Sequence, residues 1–176
     1  MSRPITTDEK ILRTPNEPVS PDEVEDIIRE LEESLRDTPL VGVGLAAPQI
    51  GINKRAAIVR IDTKDVKCSL NLINPVLVEK RDPFIHNAEG CLSIPNKQFN
   101  VNRYREIFVR DDLHPAGMII TDFEAVVAQH EIDHIENILV KDRTIGKNKI
   151  GRNDPCPCGR KKEDGKPIKF KNCHGR

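Results

Sequence analysis

TDFEAVVAQHEIDHI, residues 121–135, is the stretch on which the reading of this chain turns. Phe123, Val126, Val127, His130 and His134 recur at helical spacing and share one face, and Thr121 with Glu124 three residues on fits a capping box. The segment reads as an amphipathic helix starting near Thr121 or Asp122. His130 and His134 lie one turn apart on it, so both imidazoles can bind one divalent ion. Glu131 is offset around the helix, able to reach a water on that ion without taking a ligand position. A His-Glu-x-x-His pattern is expected by chance about 0.01 times in a chain of this composition. The competing reading, two ordinary histidines on a surface helix, sits poorly with their place on the apolar face.

Upstream of this helix the chain changes character. Ala56–Ile61, Leu70–Ile73, Val76–Glu79, Arg105–Arg110 and Gly117–Thr121 are short β-prone runs. Turn-rich stretches at Asp62–Lys67, Arg81–Pro83 and Asp111–Pro115 separate them. Further upstream, Ser20-Pro21-Asp22-Glu23 reads as a helix start, with Ser20 as N-cap, Pro21 at the first helical position and Glu23 closing a capping box. Val24, Ile27, Ile28, Leu31 and Leu35 then follow at helical spacing, and the helix should end before Pro39. An order of helix, several strands and helix implies an α+β fold. Mainly antiparallel sheet would pack around the central helix that carries the two histidines.

A catalytic divalent site takes three protein ligands and leaves a position for water. The missing ligand is sought upstream, at Cys91 in Glu89-Gly90-Cys91-Leu92-Ser93. Taken alone, a Cys beside Leu is a small hydrophobe; beside two histidines lacking a third ligand, thiolate coordination is the better reading. Cys68 has no such context and reads as filler. His86 and His114 sit in turn-like stretches and read as solvent-facing. A third segment, Gly42-Val43-Gly44-Leu45-Ala46-Ala47-Pro48-Gln49-Ile50-Gly51, is apolar and rich in small residues. It suits a tight buried turn or a backbone closely approached by a ligand. Gln49, its one polar side chain, could donate an amide N–H to an oxyanion. Two imidazoles and a thiolate suit Zn(II), Fe(II), Ni(II) or Co(II) alike.

GVGLAAPQIG (42–51), EGCLSIP (89–95) and QHEIDH (129–134), in that order, resemble the three signature segments of peptide deformylase. ILRTPNEPV (11–19), LINPV (72–76) and Arg103-Tyr104 resemble the family's flanking pattern, and the likeness spans residues 8–143. Asn137 stands where the family commonly has Gly, a change a left-handed backbone tolerates. The long C-terminal helix of many bacterial members is missing. The resemblance implies a metallohydrolase that removes the formyl group from N-formylmethionyl nascent peptides and releases formate. It implies Cys91, His130 and His134 as metal ligands, with Fe(II) as the physiological ion, and Glu131 as the group that moves the proton. Gln49 and the backbone N–H of Leu92 would hold the oxyanion, and Gly44 would bond the substrate backbone. Val43, Phe123, Val126 and Val127 are candidate walls of the methionine pocket, although they suit core packing equally well. Two rivals remain: a deformylase-like binding module without turnover, and a zinc peptidase. The latter is disfavoured by an upstream cysteine ligand.

The last segment reads as a separate unit. The 176-residue chain has no net charge, yet its first 140 residues carry eight excess acidic groups and its last 36 eight excess basic ones. Cys156, Cys158, Cys173 and His174 offer four ligands with no open position, the profile of a structural Zn(II) site. Such a short segment has no core of its own, so bound metal would supply its stability. It resembles the SEC-C motif, with a longer spacer than usual. Residues 1–148 are thus expected as the catalytic domain and 149–176 as a zinc knuckle. Its basic residues Arg160, Lys161, Lys162, Lys166, Lys169 and Lys171 would contact ribosomal RNA, with a chaperone or other protein as the alternative partner. The apolar stretch Leu40 to Pro48 is far short of the ~20 residues of a membrane span. MSRPITTDEK has no apolar segment to act as a signal peptide. A cytoplasmic protein without membrane partners is expected.

Overall fold

A computed structural model describes residues 2–145, 152–153, 155–156, 160–162 and 164–173. Its α-helices are α1 (Glu9–Leu12), α2 (Val24–Asp37) and α3 (Asp122–Ile135), with short 3-10 helices at Ala47–Ile50, Val140–Arg143 and Phe170–Asn172. Its strands are β1 (Gly44–Ala46), β2 (Ala56–Asp62), β3 (Lys67–Ile73), β4 (Val76–Glu89), β5 (Phe99–Arg110) and β6 (Met118–Thr121). They form two three-stranded antiparallel sheets, ordered β1-β2-β3 and β4-β5-β6. The architecture is the expected mixture of helix and antiparallel sheet. Among the described residues no helix is long and apolar enough to cross a membrane.

The two-sided burial of β2 explains why Ala56–Val59 are all apolar, with Arg60 the one polar side chain before Asp62. Ala57, Val59 and Ile61 join a core made with Leu72, with Ile107, Val109 and Ile120 of the other sheet, and with Ala125, Ala128, Ile132 and Ile135 of α3. Ala56 and Ile58 point the opposite way, into a second core with Ile27 and Leu31 of α2 and with Leu45, Ala47 and Ile50. Both faces of the strand are therefore covered through Val59, and the half-buried Arg60 spends its guanidinium on Leu70 O and Glu32. Helix α3 is likewise buried almost all round: every residue from Ala125 to Ile135 is buried. Its small residues Ala125 and Ala128 allow close approach to the sheets. Gln129 fastens it further, accepting from Tyr104 N at 3.0 Å and donating to Tyr104 O at 2.8 Å, so that its amide pairs with β5 as a strand would.

Three expectations are corrected. The stretch Arg81–Pro83 is no turn: Arg81 pairs with Glu106 and Pro83 with Tyr104 inside β4. β4 is an edge strand, where a proline's missing N–H costs no ladder bond, and Asp82 absorbs the local irregularity with φ 50°. Helix α2 starts at Val24 rather than beside Ser20, because residues 21–23 form a turn. Only half of the expected capping box is made there: the Ser20 N–H and hydroxyl both donate to Glu23 Oε2 at 2.8 Å. The capping box at Thr121 is not formed at all; its side chain caps nothing, and Asp122 enters the helix with φ 52°.

α3 ends as the left-handed reading of Asn137 requires. Asn137 has φ 61°, and its side chain donates to Thr14 O at 2.6 Å, tying the helix end to the N-terminal strap. Asn137→Ala is expected to lower unfolding stability by about 2 kcal/mol, combining left-handed strain with a lost hydrogen bond. Asn137→Gly should recover the strain part. Denaturant titration of the three proteins checks this; equal midpoints would refute the assignment.

Candidate metal centre

β4 ends at Glu89, and the chain turns through Gly90 so that Cys91 faces α3. There Cys91 Sγ lies 3.3 Å from His134 Nε2. One ligand atom each from Cys91, His130 and His134 can be chosen so that all lie within 4.8 Å of one another. A tetrahedral ion with bonds of about 2.0–2.3 Å needs its ligands about 3.5 Å apart. The trio fits such an ion with small adjustments. It is also the one cluster of this kind among the described residues. Burial holds His134 well below the ordinary imidazole range, so it is neutral and offers a lone pair.

His130 is oriented from behind. Its Nδ1 lies 2.7 Å from Glu89 Oε1, which leaves Nε2 for a ligand role. Burial would raise the Glu89 carboxyl, but hydrogen bonds from His130 and Arg103 overcome it and hold the group at about 2. Arg103 grips that carboxylate twice, Nε to Oε2 at 3.0 Å and Nη2 to Oε1 at 2.6 Å. The sequence reading assigns no role to Glu89 or Arg103. Glu89 sits two residues before the cysteine, but nothing in the sequence pairs it with a histidine 41 residues away.

Glu131 is 3% exposed, and its Oε2 is buried with no hydrogen-bond partner in the protein. Burial pushes its carboxyl up to about 7 against the pull of His130 and Arg103. The orphan oxygen and the adjacent ligand trio call for a polar occupant between them. Gln49 completes the polar lining. Its Oε1 accepts from Ala46 N at 2.9 Å, which turns the NH2 toward Ser93 Oγ at 3.2 Å and Cys91 Sγ at 3.8 Å. Gly44 of β1 closes in from the other side: a Cβ there would lie 2.5 Å from Glu131 Oε1.

These groups open into a cleft of about 700 Å³. Val43, Gly44, Leu92, Phe123, Val126 and Val127 line it together with Gln49, Cys91, His130 and Glu131, and His134 adjoins it through its contact with Cys91. Phe123 is 41% exposed at the rim, while Val126 and Val127 are buried. His86 departs from expectation: it is half-buried on the cleft wall, and burial lowers its pKa. Its position inside β4, where a turn was expected, explains the difference. His114 does sit in a turn, 2.9 Å from Asp111 Oδ1.

The C-terminal ligand set is only partly described. Cys156 is buried and Cys173 half-buried, whereas Cys158 and His174 lie outside the described residues. Isolated bridges pair Pro155 with Lys169 and Lys161 with Pro167, and Arg160 meets Asp82 of β4 at 2.8 Å.

Comparison with known proteins adds independent findings. A family model described as polypeptide deformylase matches residues 2–149. The peptide deformylase of Synechocystis is 36% identical over 141 residues, covering 77% of this chain and 74% of the relative. That of Heliobacterium modesticaldum is 42% identical over 110 residues, covering 61% and 70%. Among solved structures, the class I type b peptide deformylase of Acinetobacter baumannii bound to Met-Ala-Ser superposes with a TM-score of 0.69 at 28% identity, covering 81% of this chain and 98% of the other.

Proposed function

The chain belongs to the polypeptide deformylase family, and from that membership we propose how its cleft removes the formyl group from a nascent polypeptide. The observation that carries the proposal is the orphan Glu131 Oε2, buried beside the Cys91, His130 and His134 trio. Those three residues fit the family's catalytic metal. When bound, that ion supplies Lewis-acid polarisation and makes a water acidic enough to attack at neutral pH. Glu131 accepts the water's proton at its unpartnered oxygen and later delivers it to the departing amine. The Gln49 NH2 and the Leu92 backbone N–H donate to the developing oxyanion. The backbone of Gly44 pairs with the substrate backbone, and Val43, Phe123, Val126 and Val127 wall the methionine side chain. Formate and a free N-terminal methionine result.

Formate release from formyl-Met-Ala-Ser by anaerobically prepared protein tests this reading. Turnover that chelation abolishes and Fe(II) restores is expected. A metal-replete protein that releases no formate would instead favour a binding module, and cleavage of an unformylated peptide would favour a peptidase. Fe(II) is proposed as the physiological ion because the family uses it; Zn(II), Ni(II) and Co(II) suit the same ligands. An iron-bound thiolate makes activity sensitive to oxygen.

We further propose that residues 149–176 form a SEC-C-like knuckle, apart from a catalytic domain at 1–148. Cys156, Cys158, Cys173 and His174 would bind one structural Zn(II) there. The burial of Cys156 to 3% in a segment poor in apolar residues supports this. The full chain should carry two metal equivalents, and a chain ending at Lys149 should carry one with similar turnover on a short formyl peptide. Equal metal content in the two would refute the knuckle. Its exposed Lys161, Lys162, Lys166 and Lys169 would bring the enzyme to ribosomal RNA in the cytoplasm, with binding that falls steeply with salt. Equal co-sedimentation of the two chains with ribosomes at low salt would remove that partner and leave a protein such as a chaperone.

A further inference from the structure

The grip on Glu89 does not end at Arg103. Arg103 Nη1 donates to Asp133 Oδ2 at 2.6 Å, and Asp133 in turn receives Arg143 Nη2 on Oδ1 at 2.8 Å. A continuous chain of polar contacts therefore runs from the His130 ring through Glu89, Arg103, Asp133 and Arg143, the last four alternating in charge. Its middle is dry: the Arg103, Glu89 and Asp133 side chains are 3%, 7% and 9% exposed. The far end is wet. Arg143 is 41% exposed and borders a second hollow of about 310 Å³, on which Arg103 and Asp133 also open. None of these three residues lines the cleft itself.

We infer that Arg143 is a positioning residue for the metal site, acting through Asp133, Arg103 and Glu89 on the ring of His130. The inference rests on the reading of Cys91, His130 and His134 as metal ligands. Its physical basis is how the donors are shared. Glu89 Oε1 serves two masters, the His130 ring at 2.7 Å and Arg103 Nη2 at 2.6 Å, so any rotation of the guanidinium is felt at the ring. Arg103 is held against rotation by Asp133. Asp133 is held by Arg143, whose Nη2 is the partner of Oδ1 and whose Nε lies 3.3 Å from Oδ2. Without Arg143, both oxygens of Asp133 compete for Arg103 and draw it off Glu89. The four charged groups, two carboxylates and two guanidiniums, also balance. Removing the outermost cation leaves a buried excess of negative charge, which the remaining guanidinium must share.

The test uses the full chain loaded with Co(II), in parent, Arg143→Gln and Arg143→Lys forms, each compared with the same protein carrying Cys91→Ala. The difference isolates the cleft ion from any ion in the tail. Two quantities are read: the rate at which excess chelator removes the cleft ion, and the cobalt absorption spectrum, neither of which needs turnover. Loss of support behind a metal-bound histidine costs 10–100-fold in metal affinity, so Arg143→Gln should release the ion about 10-fold faster, with shifted cobalt bands. Arg143→Lys keeps the charge but not the two-pronged grip, and should fall between Gln and parent. Parent-like release and superimposable spectra in Arg143→Gln would overturn the inference, even if the protein melts earlier, since Arg143 would then only brace the fold. If Arg143→Gln does not fold, Arg143→Lys decides: release at the parent rate overturns the inference. Cys91→Ala proteins that lose no ion would overturn the metal-site reading, and this inference with it.

Discussion

Glu131→Gln is expected to lower formate release by about 1,000-fold while the protein keeps its full complement of metal. The substitution is nearly isosteric, so Cys91, His130 and His134 and the packing of α3 are untouched. What it removes is the carboxylate proposed to take a proton from water and return it to the leaving amine. Glu131 Oε2 has no protein partner to lose, so the fold has nothing to forfeit in the exchange. Stability should hold or rise, because burying an amide costs less than burying a carboxyl that ionises near neutral pH. Elemental analysis and a formate assay on the same preparation check both halves. Near-parent turnover at full metal content would mean that another group moves the proton.

Gly44→Ala is expected to reduce turnover by about 100-fold, an effect of displacing a reacting group by about an ångström. The new methyl would sit 2.5 Å from Glu131 Oε1 and 2.8 Å from Val127 Cγ1. β1 cannot retreat without breaking its register with β2, in which Gly44 faces Val59. Glu131 must therefore give way. Gly42→Ala is the control: its nearest contacts are the ends of the Leu92 and Leu35 side chains at 2.7 Å and 2.9 Å, which can turn aside. A smaller loss is expected there. Equal turnover in Gly44→Ala and parent would show that the carboxylate has room the structure does not give it.

The parts of the site legible in the sequence are those whose chemistry is compressed into a few neighbouring residues. His130, Glu131 and His134 share one helix, Cys91 lies in a short motif, and Gln49 is the lone polar side chain of an apolar segment. The Arg103 network was not legible, because its members come from β4, β5, α3 and the short 3-10 helix Val140–Arg143, and their pairing exists only once those elements pack. Fold followed the same division. The β2 run and the apolar face of α2 are local periodicities and appear where expected. The length of β4 is not local: Asp82 and Pro83 signal a turn, yet pairing with β5 carries the strand through them. His86 followed that error, taken for a surface residue when the extended strand places it on the cleft wall. Ser20 and Thr121 show the limit of capping rules: a carboxylate three residues on completes only half of one box and none of the other.

The double-sided burial of β2 bears on how the molecule comes apart. Ala57, Val59 and Ile61 belong to the α3 core and Ala56 and Ile58 to the α2 core, so neither half can open without disturbing a strand the other half also needs. Independent partial unfolding of the two halves is thereby suppressed, and the catalytic body loses its structure as one cooperative unit. The backbone amides of β2 should consequently exchange with deuterium only through that global event, more slowly than those of β4, which pairs with a strand on one side only among the described residues. The helix that carries His130 and His134 rests on the same strand, so its geometry lasts as long as the whole fold does.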